Sequence, residues 1–160
     1  MGISAFVMFE RGKSISIERM LQELKEECEK SGLYFKLSEY GYELGVGGIR
    51  MHVVVDEMAN YDSDNKDTAL YMDFYEEPNK FNYVFLDEYD DIELFQAIII
   101  NRFSDREKLL LKFLYIVLKK YPHGIAWPET DWIYTLEDLE KIVKKPYDED
   151  WFIKNPKKLI

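Results

Sequence analysis

"LYFKLSEYGYELGVGGIRMHVVVDE", Leu33 to Glu57, is the stretch on which the fold turns. Leu33, Phe35 and Leu37 alternate with Tyr34, Lys36 and Ser38, the period-two pattern of a half-buried strand. Gly41 and the Gly47-Gly48 pair read as reversals and Ile49 to Asp56 as a further strand, so the segment predicts two or three strands joined by turns. Its glycines do not make a phosphate loop. Gly45, Gly47 and Gly48 sit between strand-like runs, with no GKS or GKT ending and no helix N-terminus to receive a phosphate.

Upstream, "ISAFVMFE", Ile3 to Glu10, is a short apolar run that predicts a buried strand, ended by "RGKS", Arg11 to Ser14. RGKS joins a strand to a helix, as a phosphate loop does, but lacks the upstream glycine and the spacing. The helix that follows places Ile17, Met20, Leu21, Leu24 and Cys28 on one face. Ser14 or Ser16 can cap its start, and Gly32 stands where a left-handed residue would end it.

Downstream, "EMANYDSDNKD" is a polar loop, Thr68 to Pro78 a strand, and "KFNYVFLDEY", Lys80 to Tyr89, either one more strand or the approach to a helix. From about Asp90 the period changes. Ile92, Phe95, Ile98 and Ile99 predict a helix ending near Asn101, and Ser104 with Glu107 forms a capping box for the next. That second helix is apolar nearly all round from Leu109 to Leu118, which makes it the core helix, and Pro122 stops it. Thr135 with Asp138 opens a last short helix, ended by Pro146, and residues 146–160 are expected to lie along the body through Trp151, Phe152 and Ile153. The whole predicts one α+β domain over 1–160, an antiparallel sheet of about five or six strands with three or four helices mainly on one face.

The net charge of −10 lies entirely between Asp56 and Asp91, which hold twelve acidic and two basic residues; elsewhere 19 acidic and 19 basic residues cancel. Such a field repels nucleic acid and anionic membrane, and attracts a basic protein. No N-terminal leader pattern and no long apolar run occurs, so a cytoplasmic protein is expected. The single cysteine, Cys28, reads as a buried thiol.

Chemistry-bearing motifs are sparse. "DSDNKD", Asp62 to Asp67, starts like a calcium loop, but Lys66 takes a ligand position and Asp67 the place of the turn glycine. HExxH, paired CxxC and GxSxG are absent, and two histidines are few for a zinc site, so no metal and no cofactor is expected. "YPHGIAWPETDW", Tyr121 to Trp132, concentrates His123, Trp127 and Trp132; it reads as a hinge after the core helix, with Trp132 turned inward, or as part of a binding face, with Trp132 outward. The strongest candidate is the acidic aromatic run "FNYVFLDEYDDIELF", Phe81 to Phe95, in which Asp87, Glu88, Asp90 and Asp91 surround Tyr89.

These features point to a non-enzymatic binding protein using Tyr61, Asp62, Asp64, Tyr75, Asp87, Glu88, Tyr89, Asp90, Asp91 and Trp132 against a basic protein partner. One alternative is a ligand-binding or enzymatic domain with a pocket of Tyr40, Tyr42, His52, His123 and Trp127; another is a homo-oligomer pairing through a sheet edge or the aromatic tail. With its acidic tracts "DEYDD" and "DSDNKD" and the aromatics Tyr61, Tyr75, Tyr89 and Trp132, the chain resembles the immunity proteins of bacterial toxin systems. The resemblance implies a partner that is a toxin, blocked by an acidic and aromatic surface.

Overall fold

A computed structural model describes residues 3–45, 48–64, 67–87 and 91–158, with side chains at all of these but 39–45 and 48. Ala5–Glu10 forms β1, Ile17–Lys30 α1, Leu33–Gly45 β2, Gly48–Glu57 β3, Leu70–Tyr75 β4, Tyr83–Val84 β5, Leu94–Asn101 β6, Glu107–Lys120 α2, Ile125–Trp127 β7 and Leu136–Val143 α3. The strands make one antiparallel sheet in the order β2-β3-β4-β6-β1-β7, with β5 also paired to β6. This is the α+β class expected, with seven strands and three α-helices among the described residues.

Two expectations are corrected by the sheet. Gly41 is no reversal, because β2 runs through it and answers the sequence there with a register shift against β3 between Leu37 and Tyr42. The helix expected from Ile92 to Asn101 is strand β6. Its side chains are buried continuously from Leu94 to Ile98 because β4 and β5 flank one edge, β1 the other, and both faces are covered. An apolar run buried on both sides loses the alternation that marks a strand, and its chance helical spacing is then uninformative.

Helices α1, α2 and α3 cover one face of the sheet. Ala5, Val7 and Phe9 of β1, Val53 and Val55 of β3, and Met72 and Phe74 of β4 meet Met20, Leu24, Leu110, Phe113, Leu114 and Leu139 there in a single core. On the opposite face, among the described residues, Met8, Leu94, Ile125 and Ile133 form a smaller cluster near β1 and β7, roofed by Val84, Leu86 and Ile92.

Helix ends follow local chemistry, with one exception. The Ser16 hydroxyl accepts from the Arg19 amide at the start of α1, and Gly32 (φ 79°) takes the left-handed conformation after it. Thr135 and Asp138 form the reciprocal capping box of α3. At α2 the box expected of Ser104 and Glu107 is absent: the helix begins two residues later, at an Arg106 N-cap, and the Glu107 carboxylate accepts from the Asp105 amide at 2.9 Å.

Candidate functional site

β4 and β5 pair with the same edge of β6, β4 with Ile98 to Asn101 and β5 with Leu94 and Phe95. They are therefore two halves of one line, interrupted by an excursion over residues 76–82. Its first two residues reach across to α1. Glu76 accepts the Ile17 amide at 2.7 Å, and Glu77 accepts the Ser14 hydroxyl at 2.6 Å, the Gly12 amide at 2.9 Å and the Tyr83 hydroxyl at 2.9 Å. Burial alone would raise the Glu77 carboxyl, but these donors outweigh it and hold the group below its ordinary range. The strand-to-helix turn RGKS thus receives its anion from within the chain.

The rest of the excursion turns on two asparagines. Asn79 accepts the Phe81 amide through its side chain at 3.1 Å, and Asn82 donates to the Gln96 carbonyl at 3.0 Å while its own carbonyl accepts the Gln96 amide. Both asparagines are buried, so the ring between them is forced out: Phe81 is 66% exposed. Val84 at the end of β5 and Leu86 beyond it pack onto the smaller cluster, and Phe85, between them, is 65% exposed. Asp87 and Asp91, further along the chain, are exposed. Lys80 lies over the Phe81 ring at 5.1 Å, and Arg11 bridges Glu93 and the Tyr83 ring at the base.

Of the expected partner-binding residues, Asp87 and Asp91 are exposed, while Glu88, Tyr89 and Asp90 lie outside the described residues. Tyr75 is half-buried against the core at the end of β4. Tyr61, Asp62 and Asp64 are exposed on the loop before β4, at the opposite end of the sheet. A strand of six residues separates the two groups by roughly 20 Å. Tyr61 instead borders an apolar groove of about 430 Å³ with Leu21, Tyr34, Leu37 and Met58, along the outer edge of β2. Trp132 is half-buried against the core and donates from its indole to the Ile153 carbonyl at 3.1 Å, the inward placement of the two expected for "YPHGIAWPETDW". Gly124 is required in it by crowding, since a Cβ there would stand 2.9 Å from the Phe9 ring.

The alternative pocket does not assemble. His52 of β3 lies 3.0 Å from the Asp73 carboxylate of β4, on the sheet face away from the helices. His123 meets the Lys13 carbonyl at 3.0 Å and the Phe9 ring, with β4 and β6 between β3 and β1; Trp127, on β7, donates to the Thr130 carbonyl and packs tilted against the Phe6 ring. The side chains of Tyr40 and Tyr42 are outside the described ones.

Among the acidic residues of the central segment, several are internal fittings. Asp56, 2% exposed, accepts Thr68 at 2.6 Å, Asn60 at 3.3 Å and the Glu57 amide at 2.7 Å; Glu57 pairs with Lys112. A polar trough of about 850 Å³ opens beside Asp56, bordered by Asp67, Arg106, Glu107 and Tyr147. Among the described residues no cluster of three or more His, Cys, Asp or Glu is placed to hold a metal ion, and no helix is long and apolar enough to cross a membrane. No protein-family model, curated protein or solved structure matches the chain.

Proposed function

We propose that the protein is a binding protein that presents the 81–91 segment to a basic protein partner, in the manner of an immunity protein occluding a toxin. The observation that carries this reading is the pair of rings Phe81 and Phe85, two-thirds exposed between buried or partly buried neighbours and followed in the chain by the exposed Asp87 and Asp91. Large aromatic rings are ordinarily kept in the core, where each contributes about 2–3 kcal/mol. Two displayed together, on a segment rich in carboxylates, have the composition of an anchor with a steering field. Neither nucleic acid nor membrane suits such a surface. The mechanism is occlusion: carboxylates speed the encounter and the rings, once desolvated, slow dissociation.

The test is to place a photo-crosslinking phenylalanine analogue at position 85, and at Glu137 of α3 as a control, in the source cell. A basic protein crosslinked at 85 and not at 137 is expected. The purified pair should bind less tightly with Phe81→Ala and Phe85→Ala, and associate more slowly with Asp87→Asn and Asp91→Asn, the latter effect fading in high salt. Equal crosslinking at both positions, or an affinity indifferent to both ring substitutions, would remove the basis of this reading.

A further inference from the structure

After α3 the chain leaves through Lys144 and Lys145, turns at Pro146, and returns in a 3-10 turn over Trp151–Ile153. Between them is a cleft of about 240 Å³ with an apolar floor of Ile142, Pro146 and Trp151 and a rim of Lys145, Asp148 and Lys154. The floor is fixed: Trp151 is buried, donates from its indole to the Glu107 carbonyl at 3.1 Å, and packs edge-on against Tyr134.

We infer that this cleft binds a small aromatic carboxylate, with the ring on Ile142, Pro146 and Trp151 and the carboxylate at Lys145. Charge decides the class of ligand. Of the six lysines in residues 141–158, Lys141 and Lys157 pair with Glu137 and Asp138 and Lys154 with Asp148, which leaves Lys144, Lys145 and Lys158 against Glu149 and Asp150. The one carboxylate on the rim, Asp148, is already bound to the Lys154 ammonium, which holds it below its ordinary range. Lys145 makes no ion pair among the described residues, so its charge faces the cleft uncompensated. The C-terminal end of α3 opposes an anion with roughly half an elementary charge, less than one ammonium supplies, and its last carbonyls are partly engaged by the Lys144 and Lys145 amides. Size sets the rest. An apolar cavity of roughly 150 Å³ suffices for benzene, so this one has room for a single ring and a short acidic arm. The cleft borders the start of α2, at the opposite end of the sheet from the 81–91 segment, and is independent of the partner proposed there.

Phenylacetate is the probe, and the indole N–H resonance of Trp151 the readout, distinguished from those of Trp127 and Trp132 by W127F and W132F. Saturable movement of the Trp151 signal is expected with a millimolar Kd, reached by ring burial plus one exposed charge contact. Lys145→Gln should raise that Kd roughly two- to five-fold, and uncharged phenylacetamide should bind more weakly by a similar factor. A Trp151 signal that stays still at tens of millimolar phenylacetate would overturn the site. Equal binding of phenylacetate by wild type and Lys145→Gln, or of acid and amide, would overturn the carboxylate assignment. Tighter binding of N-acetyl-glycyl-phenylalanine than of phenylacetate would overturn a free acid in favour of a peptide terminus.

Discussion

The Glu76 carboxylate lies 2.7 Å from the Ile17 amide, so the first turn of α1 is completed by a residue 59 positions further along the chain. An anion at a helix N-terminus satisfies a free amide and complements the macrodipole. Glu76→Ala should therefore lower the unfolding free energy by about 1 kcal/mol, measured by urea denaturation. Ser16 still caps the same end, and an unchanged midpoint would mean that the serine suffices.

Glu77 gives stability a pH dependence whose sign is fixed. Its folded-state carboxyl titrates below the ordinary value of 4.5, because the Ser14, Gly12 and Tyr83 donors outweigh the effect of burial. The stabilisation is present above the unfolded value and disappears as pH falls through the folded one. Wild type and Glu77→Gln should differ most near neutral pH and converge in acid. A gap that widened on acidification would contradict the hydrogen-bond assignment.

Asp56 should be costly to remove. Its three donors, from Thr68, Asn60 and the Glu57 backbone, would lose their acceptor in a nearly water-free place. Asp56→Ala is expected to destabilise by about 2 kcal/mol, and Thr68→Val by about half as much. Thermal unfolding of the two variants checks the order.

Cys28 should be inert in the folded protein. Burial on the core face of α1 is the first cause, with Glu27 and Glu29 adding to it, of a thiol pushed up to about 12. The thiolate is the reactive form, so alkylation by iodoacetamide should follow global unfolding and be negligible without denaturant. Rapid labelling under native conditions would show that α1 opens locally.

Replacing Phe81 and Phe85 with serine should leave the fold almost untouched, since neither ring is packed. The stability change should stay within about 0.5 kcal/mol per site, while binding of an apolar fluorescent dye falls. A loss of several times that size would mean that the rings support the excursion and are not displayed by it.

What could be read from the residues alone was whatever is decided locally. The caps at Ser16 and Thr135, the left-handed Gly32 and the core helix α2 depend on neighbours within a few positions. β6 could not be read so, because its two-sided burial is conferred by the helices over one face and by the cluster of Met8, Ile125 and Ile133 over the other, which come from other parts of the chain; the β-branched run Ile98 to Ile100 was the available hint. The acidic excess was visible, but its division into internal fittings and displayed charge was not: Glu76 and Glu77 are explained by Ile17, Gly12 and Ser14. Phe81 and Phe85 carry no mark of display in the sequence, since a phenylalanine is by default a core residue. Asn79 and Asn82, bracketing Phe81, were the overlooked signal.

The place of β1 between β6 and β7 has a consequence for how the chain is made. β2, β3 and β4 are consecutive and antiparallel, so they can pair while synthesis continues. β1, which precedes them in the chain, finds its neighbours among the described residues at 94–100 and 125–127, so its pairing must wait until those segments have been made. Through that interval the apolar Ala5 to Phe9 has two unpaired edges. A nascent chain arrested before Leu94 should therefore be the species that chaperones hold and that aggregates, while one released after Trp127 can close its sheet.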